Sequence, residues 1–309
     1  MRLSAEKHHL LQKGLKAAVK PGETILGALV GTLTFGVVYA CNCLSVRHTS
    51  PGVSTVGIVS CLATTLIAGT VALTRYQTRR PARSWIAGAV IMAICFSMGY
   101  SMGNSYWWKT MVNYYTWPEM ASYVNIDPDM DRGQSYMDAG TVYFKEGSYV
   151  LRNHTVPFRN GLTYCVAPIV RQPMRYEPGS QALPTVNGFV LPRSGTVDFW
   201  AVGTDCCGAD GGTFDCADVN SLAARSGLRI LDETSRSMYL LGVQEWSATT
   251  GLPVRHPLFF SWVKDPIMFE EGLAAQCSSD FVIRVTTCLF LSFILSYFLH
   301  AALQKVHVN

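Results

Sequence analysis

The sequence predicts a membrane α-helical bundle of four transmembrane helices joined to an α+β, β-rich, disulfide-braced ectodomain. Three observations carry this. Four uncharged stretches, at 24–46, 53–74, 84–103 and 285–304, each approach the roughly 20 residues that cross a hydrocarbon core. Basic residues crowd alternate flanks of these stretches. Five of the ten cysteines fall between the third and fourth stretch. Charged residues make up only 15% of the 309, against about 25% in soluble domains.

Residues 2–20 set Leu3, Leu10, Leu11, Leu15, Ala18 and Val19 among lysines. This reads as an amphipathic helix on the inner leaflet, where lysines meet anionic lipid, or as a solvated basic tail. The first apolar stretch follows more than 20 largely polar residues and shows no small-residue cleavage pattern, which predicts an uncleaved signal anchor. Arg2, Lys7, Lys13, Lys16 and Lys20 precede it. Arg75, Arg79, Arg80 and Arg83 separate the second and third stretches, whereas Arg47 alone lies between the first and second. The positive-inside rule then places both termini in the cytoplasm. The expected order is a cytoplasmic basic segment (1–23), three spans with short loops (24–103), an ectodomain (104–280), a fourth span (281–304) and a cytoplasmic tail (305–309).

The expected ectodomain carries 13 basic against 19 acidic side chains, a net of −6, and the remainder is strongly basic. The overall +4 therefore hides two opposed parts, and nucleic acid is excluded as a partner. Gly27, Gly31 and Gly36, with Gly88 and Gly99, permit close helix packing. Tyr106, Trp107, Trp108, Tyr114, Tyr115 and Trp117 suit the headgroup layer. Arg284 opens the last span and is placed to snorkel outward.

Within 139–203, short runs of strand formers are punctuated by Gly, Pro and Asn: Thr141–Phe144, Ser148–Leu151, Thr163–Val166 and Thr196–Val202. Residues 218–249 read as helical, with Asp218 capping a short helix and Asp232 a longer one that ends at Gly251. Pro257 and Pro266 bracket an aromatic piece, 258–262. Helices are thus expected to follow the sheet.

Cys206-Cys207-Gly208 is the most distinctive local feature. Adjacent cysteines strain the peptide between them if bonded together, so each is expected to reach a separate partner. Cys216 is near enough to close a small loop with one; Cys165 or Cys277 can take the other, and Cys43 makes a sixth candidate. A redox or zinc site lacks the Cys-x-x-Cys pair or histidine it would need. Asn153-His154-Thr155 is a glycosylation sequon. Asp127, Asp129 and Asp131 alternate, with Asp138 at the twelfth place, as oxygen ligands do in a calcium loop. Arg132, however, stands where that loop needs glycine, and an acidic solvated turn is the other reading. Asp205, Asp210, Asp215 and Asp218 form a second acidic run around the double cysteine. No serine elbow or His-Glu-x-x-His helix is present.

The plan of four spans with a Cys-Cys-Gly in a large outer loop resembles the tetraspanins, although here the outer loop is longer and the double cysteine follows a β-rich half. In wording, Asp138–Phe144, Thr163–Ile169, Phe199–Cys207 and His256–Phe260 are similar to a dinoflagellate-type family of multi-pass membrane proteins with a Cys-rich ectodomain. That resemblance implies the same topology and no activity.

The expected function is that of a non-enzymatic integral membrane protein of the secretory pathway or plasma membrane. Its ectodomain would bind a partner, as an accessory subunit or membrane organiser, alongside other membrane proteins or further copies of itself. A membrane-anchored ectoenzyme acting on glycan or lipid is the alternative, and a calcium-sensing ectodomain a third. No cofactor is expected beyond calcium.

Overall fold

The computed structural model describes residues 21–171, 185–186, 189–190, 192–208 and 212–306. The basic segment read as an amphipathic helix lies outside these, as does Asp210. The chain divides into two compact units, Met1–Val112 with Ala274–Asn309, and Asn113–Leu273.

Among the described residues, four helices are long and apolar enough to cross a membrane. They are α1 (Pro21–Cys43), α3 (Pro51–Gln77), α4 (Arg83–Tyr106) and α7 (Pro266–Val306); a short α2 (Val46–Thr49) links the first two. Beyond Tyr106, α4 runs on through a π-helical turn, Trp107–Met111, into α5 (Val112–Thr116). Glycine sets how closely α1 and α4 approach. A β-carbon on Gly31 would meet Ile91 Cγ2 at 2.5 Å, and one on Gly103 would meet Asn42 Cβ at 2.7 Å. Gly88 faces open space instead.

A polar seam joins α1 to α7. Thr32 and Ser292 hydroxyls lie 2.9 Å apart, Ser292 Oγ donates to the Ala28 carbonyl, and Ser296 Oγ donates to the Thr24 carbonyl at 3.0 Å. Interhelical hydrogen bonds of this kind contribute on the order of 0.6 kcal/mol each when apolar helices pack together. Outward-facing Leu33, Val56, Leu66, Phe290 and Ile294 are exposed, which leaves large apolar side chains on the exterior of these helices.

The second unit is built on an eight-stranded mixed sheet ordered β1-β2-β9-β10-β8-β5-β3, with β4 also paired to β5. The strands are β1 (Ala121–Ile126), β2 (Ala139–Phe144), β3 (Ser148–Val150), β4 (Val156–Asn160), β5 (Leu162–Arg171), β8 (Phe199–Thr204), β9 (Ser226–Arg229) and β10 (Leu258–Val263). β6 (Thr185–Val186) and β7 (Phe189–Val190) pair only with each other. β1 runs parallel to β2 and β10 parallel to β8, while β9 and β5 run antiparallel to their neighbours.

Alternating side chains bury both faces of the central strands. Phe199, Ala201, Leu258, Phe260, Cys165 and Ala167 enter one core with Phe144, Phe214 and Cys216. Trp200, Val202, Phe259, Tyr164 and Val166 enter another against Tyr239, Val243 and Trp246 of α6 (Glu233–Thr250). Period-two geometry thus turns near-continuous apolar runs into two cores.

Four expectations are corrected here, on Asp218, on residues 226–229, on the place of the longer helix and on Trp117. Asp218 caps no helix; its carboxylate accepts the Lys264 backbone N–H at 2.9 Å, tying a turn to the end of β10. Residues 226–229, read as helical, form β9, where Gly227 lets Phe260 lie within 2.8 Å of a would-be β-carbon. α6 therefore falls between β9 and β10 instead of after the sheet. The Asp232 cap and the Gly251 stop are as expected: Asp232 Oδ2 accepts the Ser235 N–H at 2.7 Å and Gly251 has φ 72°. Trp117, placed with the headgroup aromatics, instead enters this unit's core, its Nε1 donating to the Arg229 carbonyl at 2.8 Å.

Candidate functional site

The double cysteine splits its bonds. Cys165 pairs with Cys207 and Cys206 with Cys216, across sequence separations of 42 and 10. On the chain-entropy model these closures stabilise by about 4 and about 3 kcal/mol. Cys165 lies on the face of β5 opposite α6, so its bond pins Cys207, beside the Cys206–Cys216 disulfide, over that core. Cys165, Cys206 and Cys216 are the one group of three ligand-type side chains found within 4.8 Å among the described residues, and all three are disulfide-bonded. Cys43 and Cys277 meet in the other unit as buried thiols, with Cys277 Sγ 3.9 Å from the Cys43 carbonyl oxygen.

Arg152 clamps the segment around Cys216. Its Nε donates to the Phe214 carbonyl at 2.7 Å, and its guanidinium reaches Asn220 Oδ1 and Asp215 Oδ1. Next to it, Asn153 projects into solvent, while Thr155 is buried with its hydroxyl on the Arg152 carbonyl. Asp205, at φ 54°, turns the chain and accepts the Thr163 N–H.

The four carboxylates proposed for calcium are engaged by protein donors. Asp127 pairs with Arg171 and with Lys145. Asp129 takes the Arg193 side chain at 3.5 Å and its N–H at 3.0 Å. Asp131 Oδ2 accepts the Asp127 N–H, folding the run into a turn. Asp138 accepts from Tyr123 Oη at 3.0 Å, which raises the pKa of that phenol.

Asp198 was not singled out in the sequence, where it is one aspartate in an apolar strand. It is 2% exposed and accepts four bonds, from Gly133 N, Thr196 Oγ1, Arg255 N and His256 N. Gly133 must be glycine here, since a β-carbon would strike the His256 carbonyl. Arg229 is also buried; its guanidinium lies 5.7 Å from the Phe260 ring centroid, and burial, then Arg236, lowers its pKa.

No match to this chain is found among protein-family models, curated proteins or solved structures.

A groove of about 360 Å³ opens where β1, β2 and β10 end and β9 begins. Ligands of α/β sheets gather outside the carboxyl ends of strands, where side chains from several strands converge. Lys145, Arg225 and Lys264 line the groove with one acid, Glu146. Backbone bonds fix its walls: Phe144 N to the Arg225 carbonyl at 2.7 Å and Lys145 N to the Ile126 carbonyl at 2.8 Å. Lys145 already holds Asp127. The exposed side chains of Arg225 and Lys264 make no ion pair or hydrogen bond among the described residues. Tyr143 forms part of the wall, its pKa raised by burial and then by Asp265 and Glu270. These groups can hold an anion. Sequence reading missed them because the three cations are 80 and 39 residues apart, and only the sheet order brings them together.

Proposed function

We propose that this is an integral membrane protein that crosses the bilayer four times and presents its sheet domain outside to an anionic partner, without turning over a substrate. Four long apolar helices with exposed leucine, isoleucine and phenylalanine support membrane insertion. Arginines between α3 and α4 put that loop and both termini in the cytoplasm, so the sheet domain lies in the lumen or outside the cell. Its two disulfides suit that oxidising side, and Asn153 is exposed for a glycan.

The observation that carries the partner reading is the groove. Arg225 and Lys264, paired with no carboxylate among the described residues, converge with Lys145 in a domain that is otherwise net acidic. The occupant we infer is an acidic peptide segment of a membrane partner, since a shallow groove with spread cations suits recognition better than bond breaking. Asp198 and Asp127, the buried acids among the described residues of this domain, are held by amides and cations and so are poorly placed for acid–base work.

Fluorescence polarisation of an oligoglutamate peptide against the full protein in nanodiscs tests this. Binding that falls at least tenfold in Arg225→Glu/Lys264→Glu, at unchanged thermal stability, is the expected result. Equal binding by that variant, or none by the wild type, would overturn the partner assignment.

A further inference from the structure

A cavity of about 670 Å³ lies at the ends of α3, α4 and α7 within the helical unit. Arg79, Arg80 and Arg83 line it beside Tyr76, Ile86 and Leu303. Three cations thus border one apolar wall. None of the three arginines pairs with a carboxylate among the described residues. The fourth nearby, Arg75, is turned onto the Trp85 ring, 4.9 Å from its centroid.

Two local features sharpen the charge. α3 ends in a Schellman turn: Arg80 N–H bonds the Arg75 carbonyl at 3.0 Å and Arg79 N–H bonds the Tyr76 carbonyl at 3.2 Å. The left-handed residue of that motif is usually glycine. Here it is Arg79, at φ 54°, so a large cationic side chain occupies a backbone position that disfavours it. Second, α4 starts with Ala82 at its cap, no side-chain cap bond and no acid in its first turn; its first helical residue is Arg83. The positive end of the helix dipole therefore has Arg83 beside it, the reverse of the usual preference, while Glu23 of α1 accepts the Ser84 hydroxyl at 2.6 Å. An anion in the cavity would answer both the helix end and the arginines.

We propose that this cavity binds the phosphate headgroup of one anionic phospholipid, with its acyl chains along Ile86 and Leu303. The proposal rests on the membrane-spanning reading above, which places these helix ends at the cytoplasmic leaflet, where anionic lipids are concentrated and basic pockets between helices hold them. A free phosphate ester shares the headgroup chemistry but has no use for the apolar wall.

The test uses the full chain, extracted into mild detergent and analysed by native mass spectrometry after exchange into mixtures of phosphatidylglycerol and phosphatidylcholine. One retained phosphatidylglycerol per chain is expected. Preference for it should fall roughly fivefold for each arginine neutralised, in Arg79→Gly, Arg80→Gln and Arg83→Gln. Arg79→Gly removes a charge while relieving the left-handed backbone, so it should bind less and unfold no sooner in phosphatidylcholine alone. That pairing separates lost binding from lost folding. No lipid preference, or a preference untouched by the three substitutions, would overturn the proposal. So would glycerol phosphate being retained as well as the lipid at equal concentration, which would mark a soluble phosphate ligand instead. Alkaline carbonate extraction of the source membranes distinguishes the two levels of failure. A chain that stays in the membrane pellet but ignores phosphatidylglycerol contradicts the lipid site alone, whereas a chain released by carbonate contradicts the membrane reading beneath it.

Discussion

Gly203 lies so close to the Cys206–Cys216 disulfide that a β-carbon on it would come within 2.7 Å of Cys216 Sγ and 2.6 Å of Cys206 Sγ. The strand and the disulfide are therefore fitted to one another. Gly203→Ala forces the sulfurs or β8 to move, at a cost of about 1–3 kcal/mol. Denaturant unfolding under oxidising conditions should show that loss. Reducing the disulfides first should shrink the difference between variant and wild type, because free thiols can rotate away.

Asp198 ties three segments through one carboxylate. In Asp198→Asn, one oxygen becomes an NH₂ group facing either two backbone N–H donors or the Gly133 N–H and Thr196 hydroxyl. Leaving buried donors without an acceptor costs about 1–3 kcal/mol each. The isosteric change is therefore expected to lower the unfolding midpoint clearly, and amide exchange at Gly133, Arg255 and His256 should accelerate most.

Asp232 caps α6, and its bonds to Ser235 hold its pKa below the usual carboxylate range. A depressed folded-state pKa means that the cap's contribution is present above the unfolded value and lost as pH falls through the folded one. The loss therefore sits below about pH 4. Asp232→Ala should cost about 1 kcal/mol at neutral pH and little at pH 2, as thermal melts at the two values would show.

For calcium, the oxygens of Asp127 and Asp129 are already taken by Arg171, Lys145 and Arg193. A cation would have to displace three basic side chains. Millimolar calcium is expected to leave the thermal midpoint of the protein unchanged; a rise of several degrees reversed by a chelator would restore the calcium-loop reading.

The four long apolar helices were legible because an uncharged stretch of 20 residues has few other uses, and they cover each of the four stretches, α1 apart from its last residues. The strands at Thr141–Phe144 and Thr163–Val166 were legible from their β-branched and aromatic content. β9 was not. Its four residues, Ser-Gly-Leu-Arg, carry no strand signature, and it exists because β2 and β10 supply partners on both sides. The separate partners of Cys206 and Cys207 followed from local strain, whereas the choice of Cys165 over Cys277 required knowing which face of β5 lies under the loop. The alternating aspartates suggested a cation from their spacing. The arginines that answer them come from residues 171 and 193, beyond the reach of any local pattern.

Non-reducing peptide mapping of the protein purified from membranes, with and without glycosidase, tests the central claim most directly. An outward, oxidised domain requires Cys165–Cys207 and Cys206–Cys216 cross-linked peptides, together with a glycan on Asn153. Free thiols at all four positions and an unmodified Asn153 would place the sheet domain in a reducing compartment and contradict the account.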